Sequence, residues 1–192
     1  AQTDQKWNRE LAKVRIESPD TAALNIFYTG MYHAFLQPNL FNDCNKDYRG
    51  TDKKEYTGAD FDNYTVFSLW DTYRAAHPLY TILQPERVPD FIRSMLAIYE
   101  QQGLLPVWHL YGSDTKEMIG IQSVPVIADA ILKGVPGFDY EKAFEAMKSS
   151  MLSNYKGLEY LKEGNYIPAD REKESVAKGL EYAIADWGVA QV

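Results

Sequence analysis

One short stretch carries the densest set of side chains with binding chemistry. The string FSLWDTYR covers residues 67–74 and contains Trp70, Asp71 and Arg74. On a helix, positions three and four apart share a face, so these side chains are expected to lie close together. A ring beside a carboxylate and a guanidinium suits a sugar, because it offers apolar stacking and bidentate hydrogen bonds. The alternative is structural: Asp71 and Arg74 pair between neighbouring helices, and Trp70 lies in the core.

A second candidate lies in LPVWHLYGSDTKEMIG, residues 105–120, where Trp108 and His109 precede a turn. An imidazole that titrates near neutrality can act as acid, base or hydrogen-bond donor. A histidine beside a tryptophan can equally be a packing residue. His33 and His77 are isolated on predicted helices, and none of the three histidines has a partner at metal-ligand spacing. No zinc site is therefore expected.

A third candidate is the acid-rich segment 38–62, which is predicted to be a long loop. Oxygen ligands of this kind suit hard cations such as calcium, but the spacing does not follow the EF-hand pattern. A solvated insertion is the alternative. The chain also has no phosphate-binding glycine loop and no GxSxG motif. The carboxylates of this segment are those of Asp43, Asp47, Asp52, Asp60 and Asp62.

Composition excludes several classes of function. The 192 residues carry a formal charge of −7 and no basic stripe, so nucleic-acid binding is not expected. Cys44 is the only cysteine, which rules out an internal disulfide framework and a CxxC metal site. No apolar run is long enough to span a bilayer. A neutral substrate such as a glycan fits this charge balance.

The elements that must position these residues are predicted to be helices. Apolar spacing shows about seven helical stretches, without strong strand alternation or a heptad seam. This pattern predicts an all-α fold of helical hairpins, as in a toroid or solenoid. The absence of a fixed repeat disfavours a regular solenoid. The predicted helices cover 4–17, 21–36 after Asp20, 64–83, 89–102, and three stretches capped by Ser123, Asp139 and Asp170.

Five strings, taken in order along almost the whole chain, resemble glycoside hydrolase family 92. Any one of them alone would be modest evidence, whereas all five in the same order indicate the family. They are IFYTGMYHAFLQPNLFND, YRG at 48–50, DNYTVFSLWDTYRAAHPLYTILQPER at 62–87, LPVWHLYGSDTKEMIGIQSVPVIADAILKG at 105–134 and GNYIPADREKESVAKGLEYAIADWGVAQ at 164–191.

The resemblance implies part of an (α/α)6 toroid behind an N-terminal β-sandwich. It also implies a calcium-dependent exo-α-mannosidase that inverts the anomeric configuration, with α-1,2-linked mannose of glycans as the expected substrate. The aspartate of the family motif SLWDT holds hydroxyls of the terminal mannose, and this role carries over to Asp71. Trp70 and Arg74 belong to the same motif, and Trp108 and His109 are assigned to the same sugar pocket.

The family's acid and base motifs do not occur in this chain. In the family, the general acid lies in a later motif of the type EGNAWQY, and the paired aspartates that activate water lie in a string like GNDDxGQMSAW. We therefore assign no catalytic residue and no metal ligand to residues 1–192, which are expected to be the N-terminal part of the toroid. Calcium is expected to bind mainly outside this chain, and the isolated chain is expected to be inactive.

Within the matching strings the sequence also departs from the family. The family often has Glu at the position of His109, and Asn-Glu-Thr in place of residues 113–115. Because of these exchanges, the sequence does not indicate which mannosidic linkage the enzyme prefers. The family also implies a periplasmic or extracellular enzyme whose partners are a mannose-containing glycan and the rest of its own catalytic domain.

Two alternatives remain at this stage. The chain could be a non-catalytic helical carbohydrate-binding or scaffold module. It could also belong to a different α/α-toroid glycosidase with catalytic carboxylates inside these residues.

Overall fold

A computed structural model describes residues 2–192 and divides into two units, the first ending at Pro38 and the second running from Asn39 to Val192. The first unit contains helices α1 (Gln2–Leu11) and α2 (Thr21–Ala34). The Asp20 carboxylate caps α2 as predicted, because it accepts hydrogen bonds from the amides of Ala22 and Ala23 at 2.9 and 3.1 Å. Between the two helices, the rings of Trp7 and Tyr32 lie 4.6 Å apart.

The second unit is built mainly from helices. Its core contains fully buried apolar side chains of two helices, α5 (Val88–Gln102) and α6 (Ser123–Leu132), such as Ile92, Met95 and Ile127. Helix α5 ends at Gly103 as predicted, where a φ of 74° allows the turn that stops the helix. The helices are α3 (Leu69–Thr72), α4 (Ala76–Leu83), α5 (Val88–Gln102), α6 (Ser123–Leu132), α7 (Tyr140–Met151), α8 (Leu158–Gly164) and α9 (Ser175–Gln191).

Three short antiparallel pairs of strands join the helices of this unit. They pair β1 with β4, β2 with β3, and β5 with β6. The all-α prediction is confirmed in its helices but missed these ladders, because a two-residue strand leaves no alternating pattern in the sequence. The strands are β1 (Asn39–Leu40), β2 (Tyr48–Arg49), β3 (Glu55–Tyr56), β4 (Tyr64–Thr65), β5 (Phe67–Ser68) and β6 (Trp108–His109).

The predicted helix 64–83 is wrong in its first part. Residues 63–67 are all buried, and a continuous buried run does not distinguish a strand from a helix. The structure has β4 and β5 there, separated by Val66 at a φ of 62°. Helix α3 then makes a single turn before α4 begins at Ala76. Pro78 lies in the first turn of α4, where its missing N–H costs no helical hydrogen bond.

The helix ends of the C-terminal half were predicted with mixed success. Asp139 caps α7 by accepting from the amide of Lys142 at 3.0 Å, as expected. Ser123 is instead the first residue of α6. Asp170 does not cap α9, which begins at Ser175 after a left-handed Glu174. Helix α8 was not predicted, because it is short and lies in a glycine- and tyrosine-rich connection.

His77 is a fully buried histidine in an aromatic cluster. Its ring centroid lies 5.4 Å from that of Tyr80, 6.3 Å from Phe91 and 6.4 Å from Phe67. Burial lowers the pKa of His77 to about 4 from its usual 6.5, against a smaller opposing effect of the Thr72 backbone. The imidazole is therefore neutral in the folded protein near pH 7.

We predict that the chain loses stability in acid through His77. Since the folded pKa is depressed, its contribution is complete above about pH 6.5 and is lost as the pH falls toward 4. The full loss is about 3 kcal/mol of unfolding free energy. Urea unfolding near pH 7 and near pH 4.5 measures it. The free energy of unfolding of the His77→Leu variant should fall less than that of the wild type between these two pH values. The His33→Leu variant, changed at an exposed position, should lose as much as the wild type. Equal losses in all three proteins would contradict the prediction.

Candidate functional site

The β5–β6 pair brings the two candidate segments together. Phe67 pairs with His109, and Ser68 pairs with Trp108. Partners that face each other in an antiparallel ladder have side chains on the same side of the sheet. Ser68 and Trp108 are therefore neighbours, although 40 positions separate them in the sequence. Helix α3, which carries Asp71, begins directly after Ser68.

Asp71 is exposed, and its orientation is set by Ser68. The Ser68 hydroxyl donates to Oδ2 of Asp71 at 2.5 Å. Within residues 2–192, Oδ1 accepts no hydrogen bond. The helix that carries Asp71 is a single turn in which Leu69 is buried and Asp71 is exposed, whereas the sequence predicted a long helix over 64–83. The carboxylate thus has a fixed direction and an open side that a ligand can reach in this chain.

Trp70 and Arg74 point toward a different residue, Glu181 on α9. The Trp70 indole N–H donates to Oε1 of Glu181 at 3.1 Å, and Nη2 of Arg74 donates to the same oxygen at 2.9 Å. The Arg74 guanidinium also lies over the Trp70 ring, 4.9 Å from its centroid. The ion pair of this segment therefore joins Arg74 to Glu181, and the alternative pair with Asp71 does not form.

Glu181 is a functional candidate that sequence reasoning missed. It is 9 % exposed, and it lies on the buried face of α9 beside Tyr182 and Ala185. A charged residue on the buried face of a helix is the one signal that could have found it, because such residues are rarely buried without partners, and Lys178 gives the same signal. The spacing within α9 gives no indication of which partners those are.

His109 is buried between two hydroxyl groups. Its Nδ1 lies 3.1 Å from Oγ1 of Thr65, and its Nε2 lies 3.3 Å from Oγ1 of Thr51. Burial lowers the pKa of His109 to about 4; nearby Asp114 acts in the opposite direction, and Lys53 adds to the lowering. The ring is neutral near pH 7, and it links β4, β6 and the segment after β2. Its assignment to the sugar pocket stays a prediction.

Asp114 shapes the backbone on which Trp108 lies. Its two oxygens accept from the amides of Trp108 at 2.9 Å, Val107 at 3.1 Å and Lys116 at 3.1 Å. The side-chain amide of Gln102 donates to it at 3.0 Å. With four donors, this carboxylate has a structural role. Trp108 itself is half-buried and adjoins Ser68, so its place in a ligand pocket stays a prediction.

The acid-rich segment does not fit a calcium site in this structure. Asp62 pairs with Lys46, and Asp60 pairs with Arg93. Asp47 accepts from the side chain of Asn45 and the amide of Gly58 at 2.7 and 2.8 Å. Among residues 2–192, no three His, Cys, Asp or Glu side chains are grouped to hold a metal ion. Four of these carboxylates, those of Asp47, Asp52, Asp60 and Asp62, are held by hydrogen bonds or ion pairs with other described residues.

Two surface pockets of the second unit lie apart from Asp71. The first has a volume of about 610 Å³ and includes Tyr48, Phe61 and Arg93 in its lining. The second, of about 540 Å³, is lined in part by Phe41 and Arg49. Neither lining contains Trp70, Asp71, Arg74, Trp108 or His109. None of the helices in residues 2–192 combines the length and apolar composition needed to cross a membrane.

Comparison with known proteins shows which protein family and which solved structures the chain resembles. The profile described as "Glycosyl hydrolase family 92 catalytic domain" matches residues 1–192. The structure of the GH92 α-mannosidase BT3965 from Bacteroides thetaiotaomicron is 46% identical, with a TM-score of 0.96 over 99% of this chain and 26% of that one. The same enzyme in complex with mannoimidazole gives a TM-score of 0.94 at 46% identity, over 99% of this chain and 25% of that one. No curated protein matches the chain.

A second enzyme from the same organism extends the comparison. The GH92 inverting mannosidase BT2199 from Bacteroides thetaiotaomicron is 33% identical, with a TM-score of 0.90 over 98% of this chain and 27% of that one. The chain thus spans about a quarter of the length of these solved relatives. Since the family profile covers every residue, the chain belongs to glycoside hydrolase family 92.

Proposed function

We propose that the full-length protein is an inverting exo-α-mannosidase that removes terminal mannose from glycans, with α-1,2 linkages as the expected substrate. The observation that carries the proposal is the collinear match of this whole chain to a solved α-mannosidase at 46% identity. The inverting course is supported by BT2199, an inverting mannosidase that is a more distant relative.

Asp71 is the residue of this chain that we propose to bind mannose. An ionised carboxylate accepts hydrogen bonds from sugar hydroxyls, and such charge-assisted bonds are stronger than neutral ones. The Ser68 hydroxyl fixes one oxygen of Asp71, while the other is open. Trp108 is proposed to contribute an apolar surface beside it, because it pairs with Ser68. Trp70 and Arg74 are proposed to border the pocket, with their polar atoms held by Glu181.

The acid and base of the reaction are proposed to lie in the rest of the protein. In an inverting glycosidase one carboxylic acid protonates the departing oxygen, while a carboxylate on the opposite face activates water. Asp71 does neither; its hydrogen bonds would hold the sugar in line between the two groups. Calcium is proposed as a cofactor bound by residues outside this chain, since the described carboxylates do not form a site for it.

We also propose that this chain packs against the remainder of an (α/α)6 toroid in a periplasmic or extracellular enzyme that has an N-terminal β-sandwich. Helix α9 supports the packing, because it has an exposed apolar side as well as a buried side. One side is buried against α6 and α7. The other exposes Val176, Leu180 and Trp187 at 77%, 66% and 62%. Their helical spacing makes a continuous apolar stripe of the kind that marks an interface.

The first prediction concerns Asp71. In the full-length enzyme, Asp71→Asn should lower kcat/KM on an aryl α-mannoside by about 100-fold, equivalent to about 3 kcal/mol, because a charged hydrogen-bond partner of the sugar is lost. The thermal midpoint should stay near that of the wild type, since Asp71 is exposed. Replacing the exposed Glu163 by Gln is the matched control and should retain full activity. Near-normal activity of Asp71→Asn would remove it from the site.

The second prediction concerns the metal. Dialysis of the full-length enzyme against a calcium chelator should abolish hydrolysis of an aryl α-mannoside, and calcium should restore it. The isolated chain of 192 residues should show no calcium binding by calorimetry, because no three of the described His, Cys, Asp or Glu side chains are grouped to hold a metal ion. Chelator-insensitive activity would contradict the proposed cofactor.

The third prediction concerns the α9 stripe. In the full-length enzyme, Leu180→Asp should lower the thermal midpoint by several degrees, because it places a charge in an apolar interface. In the isolated chain the same change should reduce self-association seen by light scattering. Lys173→Asp, at an exposed position outside the stripe, is the control in both experiments. An unchanged midpoint for Leu180→Asp would show that the stripe stays in solvent.

A further inference from the structure

Helix α3 is too short to hold itself in place. It spans Leu69–Thr72, and the residue before it, Ser68, makes no side-chain capping bond to its free amides. An isolated turn of this length is unstable in water, because the cost of fixing the first turn is not offset by further helical bonds. Contacts from elsewhere in the fold must therefore fix the position of Asp71.

Leu69 is buried in the core, and the long-range hydrogen bonds of this stretch go to the carboxylate of Glu181. Its Oε1 accepts from Trp70 and Arg74, and its Oε2 accepts from the hydroxyl of Tyr73 at 3.1 Å. These donors stand on both sides of Asp71 in the sequence. The contacts span 107 to 111 positions, so one side chain on α9 fixes the whole turn from across the fold.

Glu181 is itself held from the opposite side. The side-chain amide of Gln122 donates to Oε2 at 2.6 Å. Gly120 passes close by with a φ of 81°, and a side chain there would come within 3.1 Å of Cβ of Glu181. Each carboxylate oxygen thus accepts two hydrogen bonds, which offset the cost of burying the charge. Burial and the charge of Glu181 raise the pKa of Tyr73, so its hydroxyl remains a donor near pH 7.

We propose that Glu181 is a positioning residue for the mannosidase reaction. It touches no substrate; it fixes the turn from Trp70 to Arg74 so that Asp71 presents its open oxygen to the sugar. This inference rests on the proposed function for its catalytic consequence. Its structural part, the immobilised turn, is independent of any substrate.

A purely structural role is the competing explanation, and α9 offers a matched control. Lys178, one turn before Glu181, is buried and forms an ion pair with Glu172. Lys178 is on the same helix as Glu181, and the part-buried Glu172 lies in the segment before α9. Among the described residues, this pair makes no hydrogen bond or ion pair with α3. Glu172→Gln therefore removes a comparable carboxylate without touching the turn that carries Asp71.

The experiment uses the full-length enzyme and two readouts. In Glu181→Gln, backbone hydrogen exchange of a peptide covering 69–76 should be faster by about tenfold or more, because the neutral amide cannot accept all four donors. On an aryl α-mannoside, kcat/KM should fall by roughly 10- to 100-fold, as expected when a binding group is misplaced by about 1 Å. Glu172→Gln should lower the thermal midpoint but leave both readouts unchanged.

A second variant keeps the test decisive if Glu181→Gln does not fold. Tyr73→Phe removes only one of the four donors, so the same two effects should appear at smaller size. Unchanged exchange at 69–76 in a folded variant overturns the proposal, and so does faster exchange with unchanged kcat/KM. If the wild-type enzyme does not hydrolyse α-mannosides at all, the proposed function fails instead, and the exchange comparison still decides whether Glu181 fixes the turn.

Discussion

The hydrogen bonds of the Glu181 carboxylate are the constraint on which the site depends. They join the short α3 turn to the last helix of the chain, and they connect both to the segment before α6 through Gln122. A buried carboxylate requires this number of donors, because an unpaired charge away from water is costly. The same requirement makes the arrangement specific: no other side chain among the described residues collects Trp70, Tyr73 and Arg74 together.

A second constraint is the β5–β6 pair, which sets the neighbours of Asp71. Its register places Trp108 beside Ser68, and Ser68 in turn orients Asp71. The buried hydrogen bonds of His109 with Thr65 and Thr51 hold the strand that carries Trp108. Two polar networks, one centred on Glu181 and one on His109, thus support an exposed carboxylate from behind.

Much of the fold could be predicted from the sequence wherever residues close together in the chain determine the structure. Helix α5 shows its apolar face and its glycine stop, and Asp20 and Asp139 cap as their types predict. The stretch 64–72 could not be predicted, because a run of buried residues carries no period and the strands there are only two residues long. Asp170 failed as a cap because the chain enters α9 through a left-handed Glu174.

The candidate site, like the fold, could be predicted only in part from the sequence. Helical spacing correctly placed Trp70 and Arg74 on one face, since both reach Glu181. It grouped Asp71 with them too closely, because adjacent positions on a helix point in different directions. Glu181 itself lies more than 100 positions away in sequence, and only the folded chain reveals it. Family resemblance supplied the proposed role of Asp71, which no local pattern could have given.

The most direct test of the central claim is a crystal structure of the full-length enzyme with mannoimidazole. The account predicts an oxygen of Asp71 within about 3 Å of a hydroxyl of the bound ring, with the Glu181 contacts intact behind it. If Asp71 instead faced solvent, or were covered by another protein segment without touching the ligand, the assignment of this carboxylate to mannose binding would be wrong.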